Sequence, residues 1–150
     1  MLTRLAILGV KVRIWGNNWE KFARPNKNLI IEYRSAASDE YSKIVSSSKI
    51  MLGFLRKANR DVITTRSVEI PACGGFLLAE RTFEQQSIFR EGIEAEYFSD
   101  MEELVRKIEY YLGNEGRRSA IAQQARRKCL ELNLSYHKAL GEILNMYRSL

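Results

Sequence analysis

The sequence predicts an α/β fold, a Rossmann-like parallel sheet covered by helices, on three observations. Short unbroken apolar runs recur along the chain, as in strands buried on both faces. Amphipathic segments with hydroxyl-bearing starts alternate with those runs. Strands that alternate with helices imply a parallel sheet, because parallel strands need crossover connections. With 150 residues, 45% hydrophobic and 28% charged, two prolines and nine glycines, the chain has the length of one domain. That composition excludes disordered, collagen-like and low-complexity classes.

In chain order, Met1 to Leu8 reads as the last turns of a helix stopped by Gly9. The chain thus enters a fold already under way, and an upstream part is expected. Val10, Val12 and Ile14 alternate with Lys11 and Arg13 as a first strand. Leu29-Ile30-Ile31, Ile50-Met51-Leu52, Phe76-Leu77-Leu78 and Tyr97-Phe98 supply four more. Ser38 to Ser47 is a helix with Tyr41, Ile44 and Val45 inward, and Thr82 to Phe89 is another. Ser99 to Leu112 places Met101, Leu104, Val105, Ile108 and Leu112 on one face. Thr82 with Gln85 and Ser99 with Glu102 fit the capping box, in which a hydroxyl and the residue three later satisfy each other's orphan amides. Two helices close the chain: Asn114 to Leu132, with Ile121, Ala125 and Leu132 on one face, and Ser135 to Leu150, with Tyr136, Leu140, Ile143 and Tyr147. The expectation is a single parallel sheet of about five strands, with no repeat, linker or second domain.

Charge is polarised. Residues 1–60 carry 12 Lys or Arg against 4 Asp or Glu, residues 61–112 carry 5 against 11, and residues 113–150 carry 7 against 3. The formal total of +6 and the pI near 9.4 admit a nucleic-acid reading. The cations are dispersed, however, apart from Arg126-Arg127-Lys128, with little aromatic interleaving, so a specific nucleic-acid partner is not expected. No apolar stretch reaches the roughly 18–20 residues a bilayer crossing needs, and the opening residues lack a secretory signal. The expected compartment is cytoplasmic, with Cys73 and Cys129 reduced and mostly buried. One histidine and two cysteines make no zinc site.

In an open parallel sheet, ligands bind beyond the carboxyl ends of the strands. That rule selects Gly16-Asn17-Asn18-Trp19, the segment Gly53 to Asp61 with Asn59, and Glu80-Arg81-Thr82. All three are expected on one edge. Between the last two, Thr65, Arg66 and neighbouring hydroxyls sit where a helix N-terminus could meet an anion, and Glu69 follows about one turn later. A carboxylate there could accept both hydroxyls of a ribose while Arg66 holds a diphosphate. Gly74-Gly75 admits two readings, close approach to a ligand or the end of a helix. Arg66 and Glu69 could equally form a surface ion pair, Trp19 a packing aromatic, Cys73 a structural thiol and His137 a surface residue.

The stretch Arg66-Ser67-Val68-Glu69-Ile70-Pro71-Ala72-Cys73-Gly74-Gly75-Phe76-Leu77-Leu78-Ala79-Glu80-Arg81 resembles the donor-side motif of a glycosyltransferase group related to the spore-maturation, CgeB-like proteins. Gly16 to Trp19, Asn59-Arg60-Asp61, Phe89-Arg90-Glu91-Gly92, Tyr97-Phe98 and Glu102-Glu103-Leu104 are similar to further landmarks of that group, in the same order. The resemblance implies one half-domain of the two-domain GT-B fold, with C-terminal helices, that binds a nucleoside diphosphate sugar. The acceptor half would then come from elsewhere, for example a partner chain. In the broader GT-B enzymes a Glu-x7-Glu motif ends on a ribose-binding glutamate. Glu69 matches the second position, and Asp61 stands at the first as a shorter acid. The implied substrate-binding set is Gly16, Trp19, Asn59, Asp61, Thr65, Arg66, Glu69, Gly74, Gly75 and Glu80, with no catalytic residue assigned. The implied donor chemistry calls for no cofactor or metal, and the sequence holds no Asp-x-Asp. Two other readings stand beside it: a non-catalytic module that keeps the nucleotide pocket or only the fold, and non-specific nucleic-acid binding through the basic first third.

Overall fold

The computed structural model describes residues 1–19, 26–133 and 135–149. The chain divides into two compact units, Met1–Ile44 and Val45–Leu150. In the first, α1 (Leu2–Ile7) buries Leu5 and Ala6 and packs on β1 (Val12–Ile14) and β2 (Leu29–Ile31), which pair in parallel with Val12 opposite Leu29. Gly9, at φ 92°, ends α1, and the Val10 amide donates to the Leu5 carbonyl at 3.1 Å. Val10 therefore closes the helix instead of opening the strand, which begins two residues later than the alternation predicts. Within β2, Ile30 is exposed between half-buried Leu29 and Ile31, so this strand is covered on one face, not both.

The second unit begins within α2 (Ser38–Ser47), at Val45, which is fully buried. Its sheet has the order β3 (Met51–Gly53), β4 (Leu77–Glu80), β5 (Glu96–Phe98), with Met51 opposite Leu77 and Leu78 opposite Glu96. Every strand pair is parallel, so the α/β reading holds. The five expected strands form one sheet of two and one of three rather than a single sheet. The helices are α3 (Arg66–Ala72), α4 (Phe83–Ile88), α5 (Met101–Gly113), α6 (Glu115–Glu131) and α7 (Tyr136–Arg148). Ile70, Leu77, Leu78, Phe89, Tyr97, Phe98, Leu104 and Ile121 form the core, on β4, β5 and the helices covering them. Gly53 lets β3 close on β4: a Cβ there would stand 2.9 Å from that of Ala79.

Several helix details differ from the pattern. The cap of α5 is Asp100, not Ser99: its carboxylate accepts the amides of Glu102 and Glu103, both at 2.8 Å, and Glu103 reaches back to the Ser99 amide at 2.8 Å. An ionised acid is the stronger acceptor and suits the positive end of the helix dipole. Tyr111 is buried on α5 where Leu112 was expected, because its hydroxyl donates to Glu96 at 2.6 Å and its ring meets Phe76. On α6, Ile121 and Ala125 are buried as the periodicity requires, but Leu132 lies beyond the helix end and is exposed. The face of α7 read as inward is uncovered: Tyr136, Leu140, Ile143 and Tyr147 are all exposed, and Leu150 falls outside the described residues. No described helix is long and apolar enough to cross a membrane.

Candidate functional site

In the second unit β3, β4 and β5 each run into a loop and then a helix, so all three carboxyl ends and the starts of α3, α4 and α5 lie at one edge. The segment after β3 is the most elaborate. It passes through a 3-10 turn (Lys57–Asn59), and the left-handed Arg60 (φ 55°) reverses it towards α3. Arg56, Lys57, Asn59 and Arg60 are exposed and Asp61 is half-buried. Among the described residues none of these side chains has a hydrogen bond or ion pair. The same is true of Thr65, Arg66 and Glu69. Arg66 and Glu69 share the first turn of α3 without forming the surface pair that their spacing allowed. Sequence reasoning selected this loop, and Arg60 within a landmark, but left Arg56, Lys57 and Arg60 out of the binding set, although three cations within five positions are a signal.

Thr65 is already helical (φ −54°, ψ −35°) and makes no side-chain cap bond. The amides of Ser67, Val68 and Glu69 donate to the carbonyls of Thr64 and Thr65 at 2.9–3.0 Å. The free backbone donors expected at this helix start are therefore mostly taken, and the unpaired cations carry the positive character of the edge.

Glu80, at the end of β4, spends one carboxylate oxygen on the Leu55 amide, at 2.7 Å. Thr82 caps α4 by accepting the Gln85 amide at 3.2 Å and donates its own hydroxyl to the Val62 carbonyl at 2.7 Å. Gln85 does not complete the capping box. Its side chain is buried, accepting from the Ser67 hydroxyl at 2.7 Å and donating to the Glu80 carbonyl at 2.6 Å.

Gly74 and Gly75 lie at the far end of α3, at the amino edge of the sheet. The Gly75 amide donates to the Ile70 carbonyl and the Gly74 amide to that of Pro71, both at 2.9 Å, and Gly74 is left-handed at φ 78°. This is a Schellman helix ending. A Cβ on Gly75 would overlap Val45 Cγ1 and stand 3.0 Å from Ile70 Cγ2. The fold thus accounts for both glycines, and the structure does not bring them to the edge that carries Arg66 and Glu69. Gly16 and Trp19 belong to the first unit, where a Cβ on Gly16 (φ 152°) would stand 2.9 Å from Trp19 Nε1; there Trp19 lies against Gly16.

The β5 flank carries a charge network that sequence reasoning did not single out. The Arg81 guanidinium joins Glu91 and Glu103, the latter at 2.5 Å, and bonds the Tyr97 carbonyl and the Ser99 hydroxyl. Lys107 bonds Glu91 at 2.6 Å, Glu96 at 2.5 Å and the Tyr97 carbonyl at 2.7 Å. Burial pulls the Arg81 and Lys107 values down, yet bonds to Glu103 and Glu91 for Arg81, and to Glu91 and Glu96 for Lys107, leave both raised. Burial pushes the Glu103 carboxyl up, but the Arg81 bond and the Ser99 amide outweigh it and hold it below the usual carboxylate range. Burial pushes the Cys129 thiol up to about 11, which keeps it protonated at neutral pH. Cys73 is half-buried, and neither cysteine is in a disulfide.

Elsewhere, a cleft of about 270 Å³ is lined by Arg90, Glu94, Arg127, Lys128 and their neighbours. It is built from α6 and the segment that precedes β5, at the amino edge. Among the described residues no cluster of three or more His, Cys, Asp or Glu gathers to hold a metal ion. A family model described as glycosyl transferase-like matches residues 1–145. No curated protein matches the chain.

Proposed function

The chain belongs to the glycosyl transferase-like family, which matches it almost end to end, and on that premise we propose that its second unit binds the donor, a nucleoside diphosphate sugar. The observation that carries this reading is the unpartnered set at the carboxyl edge. Among the described residues Arg56, Lys57, Arg60 and Arg66 meet no anion and Glu69 meets no donor, on the edge where open parallel sheets take their ligands. Arg66 and the loop cations hold the diphosphate, and Glu69 accepts hydrogen bonds from the ribose hydroxyls. Asn59, Asp61 and Thr65 flank them.

In the transfer itself the bond between the sugar anomeric carbon and the diphosphate oxygen breaks while an acceptor nucleophile bonds to that carbon. The leaving diphosphate gains negative charge, and cations fixed beside it stabilise that charge more in the transition state than in the ground state. Neutralisation by side chains makes a metal dispensable in this scheme. The acceptor is held by a further domain or a partner chain, and the resemblance of Arg66 to Arg81 to the CgeB-like motif supports membership of that subgroup.

Calorimetry with common nucleoside diphosphates and with inorganic pyrophosphate tests the assignment. Arg66→Ala should weaken both ligands, by a charge-assisted bond worth about 1.5–3 kcal/mol. Glu69→Ala should weaken the nucleoside diphosphate alone, since pyrophosphate has no ribose. Equal losses for the two ligands in Glu69→Ala would remove the ribose role, and no binding of any common nucleoside diphosphate would leave a scaffold in place of a donor site.

A further inference from the structure

The loop between β3 and α3, residues 54–65, is twelve residues long and has no regular structure beyond one 3-10 turn. A free segment of that length would lose backbone freedom on closing around a ligand, and that cost would fall on binding. Here it is tied down at three points, all by one short stretch at the junction of β4 and α4. Glu80 holds the Leu55 amide at the loop's start, Thr82 holds the Val62 carbonyl in its middle, and Gln85 holds the Ser67 hydroxyl just past its end. The last tie is buried, and its polarity is fixed by the neighbours. The Gln85 Nε2 faces the Glu80 carbonyl and must donate, so its Oε1 must accept from Ser67. Ser67 in turn accepts the Thr64 amide at 3.3 Å. Arg56, Lys57, Asn59, Arg60 and Asp61 all lie between the first tie and the second, and Thr65 and Arg66 between the second and the third.

We propose that Thr82 and Gln85 are positioning residues for the anion-binding edge: they touch no ligand, and they preorganise the cationic loop and the first turn of α3 so that the ordering cost is met on folding rather than on binding. The inference rests on the donor-site reading above and deepens it by naming what sets the geometry of that site. It also explains why the junction after β4 is polar in sequence. Two of the three polar side chains that the strand-end rule selected there, Glu80 and Thr82, bond the loop that follows β3.

The test uses Thr82→Val, Thr82→Ser and Gln85→Leu, with Asp100→Ala as a control that removes the cap of α5, outside the proposed site. The probe is inorganic pyrophosphate, read by calorimetry well below each variant's unfolding midpoint, alongside amide hydrogen exchange of residues 56–68. Thr82→Val and Gln85→Leu should lower pyrophosphate affinity about five- to tenfold, of the order expected when an ordering cost of roughly 1 kcal/mol moves to the binding step, and exchange in 56–68 should speed up. Thr82→Ser keeps the hydroxyl and should restore both. Asp100→Ala should lower the unfolding midpoint without moving either. Affinity and exchange unchanged in Thr82→Val and Gln85→Leu, with only the midpoint lowered, would overturn the proposal. If the wild-type chain binds neither pyrophosphate nor a nucleoside diphosphate, the donor reading fails by itself, and faster exchange in the two variants would still show the ties ordering the loop, whereas unchanged exchange would remove them too.

Discussion

The two flanks of the second unit's carboxyl edge use the same residue types to opposite effect. On the β5 and α5 side, Arg81, Lys107, Glu91, Glu96 and Glu103 all bond one another or the backbone. On the β3 and α3 side, Arg56, Lys57, Arg60, Arg66, Asp61 and Glu69 have no partner among the described residues. Environment separates them. Glu96 is 5% exposed, and an unpaired charge at such a site would cost several kcal/mol. The loop cations stand in water and need no partner to be tolerated. Charge on the first flank is therefore architecture, while no contact among the described residues ties the charge on the second to the fold. The sharpest contrast is between two arginines. Arg81→Ala leaves Glu103 only the Ser99 amide and the more distant Lys107, takes one of the two cations from Glu91, and should destabilise the chain by about 2–4 kcal/mol, read from urea unfolding. Arg66→Ala should stay within about 0.5 kcal/mol and act on binding. A comparable loss of stability in both would erase the distinction.

A second contrast sets the carboxyl edge against the amino edge. Gly75→Ala drives a methyl into Val45 and Ile70 and should cost about 1–3 kcal/mol by overpacking. Gly74→Ala keeps the space but must hold φ 78°, for about 1 kcal/mol. Neither should alter affinity for a nucleoside diphosphate in the folded protein, and a selective loss of affinity in Gly74→Ala would return the glycine pair to the site.

The paired flank also predicts how stability depends on pH, with a smaller effect. Glu103 and Glu94 titrate below their ordinary values, so their contribution is complete above the unfolded carboxylate value of about 4.3 and is lost as pH falls through the lower folded value. Lys107 is raised, so its contribution is complete below about 10.4 and is lost as pH rises through the higher folded value. Urea midpoints should form a plateau between those limits. Glu103→Gln should flatten the acid limb and leave the alkaline one, and an unchanged acid limb would show that Glu103 bears none of it.

What could be read in the sequence follows the range of the interactions involved. The strands of the second unit and the starts of α4 and α7 were legible because apolar runs and single caps are local signals. The start of α5 was placed one residue early because Ser99, Asp100, Glu102 and Glu103 offer two overlapping capping patterns, and only the backbone decides between them. Splitting five strands into two sheets has no local signal at all. The motif led to Arg66 and Glu69, whose unpaired state fits a ligand role, but it also selected Gly74 and Gly75, because adjacency in sequence does not show that a helix separates them from Arg66. Gln85 was read as half of a capping box. Its bond to Ser67 spans 18 positions, and no spacing rule reaches that far.

The smallest effect on stability belongs to Arg60, where conformation and charge can be separated. Arg60 closes the 3-10 turn in the left-handed region at φ 55°, a conformation that costs a side-chain-bearing residue about 1 kcal/mol and glycine almost nothing. If the cation is kept for a ligand and not for the fold, Arg60→Gly should hold or slightly raise stability, by at most about 1 kcal/mol, and Arg60→Ala should leave it within about 0.5 kcal/mol. Both remove the same charge, so both should weaken pyrophosphate by the same factor and make its affinity less dependent on salt. Should Arg60→Gly bind as the wild type does while Arg60→Ala does not, the turn and not the charge would be what the site requires. If neither changes binding, Arg60 leaves the anion-binding set, and the open flank narrows to Arg56, Lys57 and Arg66.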